Sequence, residues 1–137
     1  MEGKKYFVYG TLMQYEILTA LGLKLMDSEP AVMPEATLYK ANSGRFPFLV
    51  RTHDPRDSVK GLLVQLETID PDSRFSVDDI LDHYEGAYGD NPLYHKKEEN
   101  GITFYVANRG NPYVIMQLTP DNMIGGDWNE FRKQAEV

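Results

Sequence analysis

The pattern of hydrophobic and polar positions along the chain predicts many short strands and few helices. Runs rich in aromatic and β-branched residues predict strands at residues 6–9, 36–39, 48–50 and 59–67. Two further runs, 94–99 and 102–107, flank Asn100-Gly101, a dipeptide typical of a β-hairpin turn. Residues 113–118 are predicted to form a last strand.

Three helices are predicted between and after these strands. From residue 14 to about 25, apolar side chains recur at helical spacing. A second helix begins after the N-cap Ser76, places Tyr84 in its buried stripe, and ends at Gly86. Asp127 resembles the cap of a short helix near the end of the chain.

The order of these elements predicts the fold class. Strands and helices do not alternate regularly, which argues against a doubly wound parallel sheet. The sequence has no internal repeat, linker or low-complexity stretch. It therefore predicts one α+β domain over residues 1–137, in which a mainly antiparallel sheet curls into a barrel.

Composition and charge narrow the function. The 137 residues carry a formal net charge of −7 and no cysteine. Without a cluster of Lys or Arg, such a chain has little general affinity for nucleic acid, and thiolate chemistry is excluded. No apolar segment is long enough to span a bilayer, and the first residues lack a signal-peptide pattern. We therefore expect a soluble cytoplasmic protein without nucleic-acid or membrane partners; the oligomeric state stays open, with a monomer favoured.

The segment Tyr9-Gly10-Thr11-Leu12 is the first candidate for chemistry. A strand ends at Tyr9, Gly10 permits a tight turn, and a helical pattern follows. At such a junction, backbone N–H groups without an acceptor can bind a carboxylate or a developing oxyanion. Taken alone, Gly10 is better explained as a simple turn, because short motifs occur often by chance.

Glu85 is the second candidate. It falls at the margin of the apolar stripe of the second predicted helix and in the last turn of that helix. Partial burial and the helix dipole would both raise the pKa of its carboxyl group, which suits proton transfer near neutral pH. Taken alone, a solvated glutamate near a helix end is the commoner case.

Other residues are weaker candidates. Tyr94 can orient a substrate through its hydroxyl or be a packed aromatic residue. Phe46 and Pro47 can form the wall of an apolar pocket or belong to the core. The chain has no phosphate loop, dinucleotide fingerprint or serine-hydrolase elbow, and its three histidines lack metal-ligand spacing. No metal site is predicted.

Taken together, these segments resemble the gamma-glutamylcyclotransferase-like family, which includes gamma-glutamylamine cyclotransferases and avirulence-induced-gene-like proteins. The similarity covers almost the whole chain. As an ordered pair, the first segment and the Leu-Asp-x-Tyr-Glu-Gly segment are far more specific than either alone. The matching segments are residues 6–12, Arg45-Phe46-Pro47, residues 59–64, residues 81–86, Tyr94 and Tyr105.

The resemblance implies a small mixed β-barrel with two main helices and a pocket between Glu85 and the loop of Gly10, Thr11 and Leu12, here called the Gly10 loop. It also implies a reaction in which the α-amine of a gamma-glutamyl compound attacks its own γ-carbonyl, releasing 5-oxoproline and an amine or amino acid. Glu85 would be the general acid and base, and no metal or cofactor would be needed. The substrate would be bound by Tyr9, Gly10, Thr11, Leu12, Phe46, Pro47 and Tyr94.

Three other functions remain open. The protein could bind a small carboxylate in the same pocket without turning it over, or use the same base to hydrolyse another amide. A protein-interaction scaffold has no positive feature in the sequence. Residues 13–16 and Leu62 depart from the family pattern, so the leaving amine is not identified by the resemblance.

Overall fold

The computed structural model describes residues 4–87 and 89–135. Its strands are β1 (Lys5–Val8), β2 (Leu23–Pro34), β3 (Ala36–Lys40), β4 (Pro47–Arg51), β5 (Ser58–Thr68), β6 (Tyr94–Glu99), β7 (Ile102–Ala107) and β8 (Met123–Gly125). Its α-helices are α1 (Tyr15–Ala20), α2 (Val77–Glu85), α3 (Pro112–Ile115) and α4 (Trp128–Ala135). Short 3-10 turns occur at Thr11–Met13 and Pro120–Asn122.

The strands form two sheets. The larger sheet has the order β2-β5-β1-β7-β6, and its strands pair antiparallel except for the parallel pair β1 and β7. The smaller sheet has the order β4-β3-β8 and is antiparallel. The predicted α+β class with a mainly antiparallel sheet is confirmed, although the strands form two sheets instead of one closed barrel.

Strand β1 lies in the centre of the larger sheet and is buried on both faces. Tyr6 and Val8 point into one hydrophobic cluster, together with residues of α1 and α2. Phe7 and Tyr9 belong to the other cluster, which also contains the fully buried Trp128. Because both faces are buried, the strand reads as a continuous hydrophobic run. Its rigid position fixes the point at which the Gly10 loop begins.

Helix α2 has the predicted start and end. Ser76 accepts a hydrogen bond from the Asp79 N–H while the Asp79 side chain accepts one from the Ser76 N–H, which is a capping box. Gly86 ends the helix in the left-handed conformation, with φ 69°. The prediction that Tyr84 lies in the buried stripe is wrong, because its side chain is 37% exposed.

The first helix is shorter than predicted. It ends at Ala20, and after Gly22, which has φ 82°, the chain enters the 12-residue strand β2. β2 pairs with β5 from Leu23 to Pro34. Pairing along a whole strand outweighs the helical spacing of a few leucines. The sequence of β2 is polar and largely exposed, so it lacks the alternation of hydrophobic residues that would predict a strand.

The strand predicted at residues 113–118 is also wrong. This segment begins with the short helix α3, whose N-cap Asn111 accepts hydrogen bonds from the N–H groups of Tyr113 and Val114. Pro112 occupies the first helical turn, where a missing N–H costs little. Local capping therefore decides the conformation here.

Both edge strands of the larger sheet have sequences that are poorly suited to pairing with a further strand. The edge strand β2 contains Pro30 and Pro34 and has an irregular register between Leu25 and Asp27. The opposite edge strand, β6, is exposed from His95 to Glu99 and has the sequence YHKKEE. Among the described helices, none has the length and apolar character needed to cross a membrane.

Candidate active site

A cavity of about 380 Å³ lies where the end of β1, the segment before β4, the end of α2 and the start of β6 meet. This volume is in the range of small-molecule sites, about 300–1,000 Å³. The structure brings together all eight residues predicted for the site, which all line this cavity: Tyr9, Gly10, Thr11, Leu12, Phe46, Pro47, Glu85 and Tyr94. Their roles in binding and catalysis stay predictions at this point.

The Gly10 loop is fixed against the segment that leads into β4. A Cβ atom on Gly10 would lie 2.9 Å from the ring carbons Cγ and Cδ of Pro47, which is closer than packed side chains allow. Only glycine therefore permits this contact without a shift. The 3-10 turn that follows starts at Thr11. The N–H groups of Thr11 and Leu12 therefore have no hydrogen-bond acceptor within that turn.

Glu85 is the last residue of α2 and lines the same cavity as the Gly10 loop. The residue as a whole is half-buried. Burial raises the pKa of its carboxyl group from 4.5 to about 7. A carboxyl group with this pKa exchanges protons near neutral pH, where an exposed glutamate is fully ionised.

Two buried tyrosines lie near this carboxyl group. The Tyr9 hydroxyl donates to the backbone oxygen of Tyr105 at 2.7 Å, and the Tyr94 hydroxyl donates to that of Pro47 at 2.6 Å. Burial raises the pKa of both phenols, and the charge of Glu85 raises it further. Because both hydroxyl hydrogens are donated to backbone oxygens, neither is donated to the Glu85 carboxylate. The carboxyl group therefore lacks two hydrogen bonds that would lower its pKa, and keeps the raised pKa that burial imposes.

The aromatic wall of the cavity is built around Phe48. The Phe46 ring contacts the Phe48 ring edge to face, with centroids 5.4 Å apart, and the Tyr94 ring lies at the same distance on Phe48. Phe48 itself is fully buried. Phe46 and Tyr94 therefore line the cavity and also pack against the core. For these two residues, a place in the cavity wall and a place in the core are compatible interpretations of the sequence.

A polar cluster that the sequence did not reveal fixes α2 on the sheet. The Asp82 carboxylate accepts a hydrogen bond of 2.6 Å from the Tyr105 hydroxyl and forms an ion pair of 2.9 Å with Lys96. One turn earlier, Asp78 accepts from the Tyr6 hydroxyl and pairs with Lys4 at 2.6 Å. These contacts lie one and two turns before Glu85 and set its position relative to β1 and β7.

A second unexpected contact joins the two predicted halves of the site directly. The Thr11 and Tyr84 hydroxyl groups lie 2.6 Å apart and form a hydrogen bond. Within the described residues, no group of three or more His, Asp and Glu side chains is arranged to bind a metal ion.

The fold and the cavity define a small α+β protein with a carboxyl group of raised pKa in a cavity lined by tyrosines. A family model described as gamma-glutamyl cyclotransferase, AIG2-like, matches residues 6–130, and the chain belongs to this family. The family predicted from the sequence motifs is therefore confirmed, and membership supports a gamma-glutamyl cyclotransferase-like function in general.

No curated protein matches the chain. Among solved structures, the chain is similar to the solution structure of At5g39720.1 from Arabidopsis thaliana, with a TM-score of 0.57 and 17% sequence identity. The match covers 99% of this chain and 85% of that one. At this identity the similarity shows a shared fold and nothing beyond it.

Proposed function

We propose that this protein is a gamma-glutamyl cyclotransferase that releases 5-oxoproline from a gamma-glutamyl amine or amino acid. The observation that carries the proposal is the meeting of Glu85 and the Gly10 loop in one cavity, although 75 positions separate Gly10 from Glu85 in the sequence. A proton acceptor and a set of backbone N–H donors are the two parts that this intramolecular acyl transfer requires.

Glu85 acts as the general base in the first step. Ionised Glu85 removes one proton from the substrate α-ammonium, and the resulting amine attacks the γ-carbonyl carbon of the same molecule. A C–N bond forms, which closes a five-membered ring, and the carbonyl oxygen becomes an oxyanion. The raised pKa of about 7 makes Glu85 a sufficiently strong base for this step.

Glu85 then acts as the general acid. It returns its proton to the departing nitrogen, the bond from the γ-carbon to that nitrogen breaks, and the carbonyl reforms. The ring nitrogen loses its second excess proton through the same carboxylate to the released amine. The products are 5-oxoproline and a protonated amine, Glu85 is ionised again, and no water is consumed.

The Gly10 loop and the aromatic rings of Phe46 and Tyr94 hold the substrate in place. The N–H groups of Thr11 and Leu12 are donors for the substrate carboxylate or the oxyanion. The rings of Phe46 and Tyr94 limit the space around the methylene chain and favour its folded form. Since the attack is intramolecular, holding the chain folded supplies much of the rate advantage.

The test is to incubate the protein with gamma-glutamyl amines and dipeptides and to measure 5-oxoproline by mass spectrometry. Glu85→Gln should lower kcat by about a hundredfold or more. The matched control is Glu29→Gln on the exposed edge strand β2, which should keep full activity. Unchanged activity in Glu85→Gln would exclude the proposed base. Binding of 5-oxoproline without any product would point instead to a carboxylate-binding protein.

A further inference from the structure

Arg45 brings a positive charge to the cavity. Within the described lining, it is the one arginine or lysine. It is exposed, whereas Phe46 is half-buried and Pro47 is buried. The three residues therefore run from the rim of the cavity into its wall, with the guanidinium at the rim.

The Arg45 guanidinium has no acidic partner within the described part of the chain. The ion pairs there include Arg51 with Glu99 and Arg56 with Asp54, but none includes Arg45. The chain has a net charge of −7 and so carries many carboxylates, yet none of those described pairs with Arg45. The guanidinium at the cavity mouth is therefore available for an external anion. The planar guanidinium binds a carboxylate through two parallel hydrogen bonds.

The proposed reaction determines which part of a substrate reaches Arg45. Proton transfer places the α-ammonium at Glu85, and the α-carboxylate is attached to the same carbon atom. The departing nitrogen lies outside the five-membered ring that forms. Glu85 must also reach this nitrogen to protonate it, so the substituent on the nitrogen is the part of the substrate that can extend to the open rim.

We infer that Arg45 is a specificity-determining residue that binds a carboxylate on the leaving group, which makes gamma-glutamyl amino acids the preferred substrates over neutral or cationic gamma-glutamyl amines. The inference rests on the proposed function, because that function places the α-amine at Glu85. A cationic leaving group would be repelled by the guanidinium, whereas an anionic one forms a charge-assisted hydrogen bond.

The experiment compares two substrates that differ only in the leaving-group charge, gamma-glutamyl-alanine and gamma-glutamyl-alanine amide. In the wild type, kcat/KM should be about two- to fivefold higher for the free carboxylate, as expected for an ion pair with an exposed arginine. In Arg45→Gln this preference should fall to near one, mainly through KM, while the rate with the amide stays unchanged. Added salt should weaken the wild-type preference, since Arg45 is exposed.

Arg74→Gln is the matched control, because Arg74 is also exposed and lies outside this cavity. It should keep the wild-type preference. Equal rates with both substrates in the wild type would overturn the inference. An Arg45→Gln variant that slows both substrates equally would also overturn it, since Arg45 would then bind the glutamyl part.

A binding measurement separates failure of this inference from failure of the proposed function. Calorimetric titration of Glu85→Gln with both compounds, with and without Arg45→Gln, gives the preference without turnover. If the wild type forms no 5-oxoproline from these two compounds or from the wider set of gamma-glutamyl amines and dipeptides, the cyclotransferase proposal fails. An Arg45-dependent preference in binding would then still show that Arg45 binds the carboxylate of the alanine part, and its absence would overturn that assignment.

Discussion

The hydroxyl group of Thr11 lies 2.6 Å from that of Tyr84, so one hydrogen bond joins the Gly10 loop to the last turn of α2. Tyr84 immediately precedes Glu85. The contact therefore links the proposed oxyanion donors to the proposed base at the surface of the cavity. It also explains why Tyr84 is partly exposed instead of buried in the core.

We expect Thr11 and Tyr84 to contribute to stability through this one shared hydrogen bond. Thr11→Val and Tyr84→Phe should each reduce the free energy of unfolding by about 0.5–1.5 kcal/mol. The double variant should lose no more than either single variant, because both changes remove the same bond. Urea denaturation of the three variants measures this coupling. Fully additive losses would show that the two hydroxyl groups act independently.

The contact of Gly10 with Pro47 gives a second prediction. In Gly10→Ala, the new methyl group meets the proline ring at 2.9 Å, so the loop or the β4 segment must move. We expect a loss of about 1–3 kcal/mol in the free energy of unfolding, as for overpacked sites, and a large loss of activity.

The same substitution in a Pro47→Ala background is the control. Removing the Cγ and Cδ atoms of the ring provides space for the methyl group, so Gly10→Ala should cost much less there. Thermal denaturation of the four proteins completes the cycle. An equal cost in both backgrounds would mean that Gly10 is needed for its backbone conformation, with φ −131° and ψ −132°, and not for this contact.

The pKa of Glu85 predicts the pH dependence of activity. The base must be ionised to take a proton, so kcat/KM should rise as the pH increases through about 7. An exposed glutamate would give this rise near its ordinary pKa, more than two units lower. Initial rates between pH 5 and 9 measure the profile. A plateau that already begins at pH 5 would contradict the assignment.

The same pKa predicts the pH dependence of stability. Below pH 4.5 the Glu85 carboxyl is protonated in both the folded and the unfolded chain. As the pH rises from 4.5 to about 7, the unfolded chain ionises first, so the folded state loses stability. Above pH 7 the deficit is constant at about 3 kcal/mol, from about 1.4 kcal/mol per pKa unit.

Glu85→Gln cannot titrate, so it isolates this contribution. Relative to the wild type, the variant should gain about 3 kcal/mol in unfolding free energy between pH 4.5 and pH 8. Denaturant melts of both proteins at the two pH values give the difference. A variant that is destabilised equally at both values would show that the carboxyl is well solvated.

The buried hydroxyl of Tyr94 gives the last prediction. Tyr94→Phe keeps the ring on Phe48 but leaves the backbone oxygen of Pro47 without its donor. We expect a loss of about 1–3 kcal/mol in unfolding free energy. Tyr113→Phe is the control, because Tyr113 is 59% exposed and the change should have little effect. Equal effects of the two substitutions would contradict a buried hydrogen bond at Tyr94.

Local signals in the sequence were sufficient for the elements that local interactions decide. The hairpin of β6 and β7 has the predicted bounds because Asn100 and Gly101 both adopt the positive φ angles that its turn requires. Helix α2 follows from Ser76 and Gly86 at its ends. The predicted site residues share a cavity because the family motifs mark them, not because any periodicity shows which segments meet.

Contacts between distant residues could not be predicted. The pairing of β2 with β5 joins residues that lie 24 positions apart at one end, Pro34 and Ser58, and 45 positions apart at the other, Leu23 and Thr68. The hydrogen bond from Tyr105 to Asp82 likewise joins residues whose types occur throughout the chain. Such choices depend on the assembled sheet and leave no local pattern.

The edges of the larger sheet have a consequence for how the protein behaves at high concentration. Pro30 and Pro34 in β2 lack the N–H groups that an added strand would need, and the charged side chains of Lys96 to Glu99 in β6 would have to lose water before another strand could pair there. Neither border offers a template on which a second molecule could continue the hydrogen-bond ladder. Strand addition at the borders of the larger sheet is thereby disfavoured when copies of this chain are crowded together.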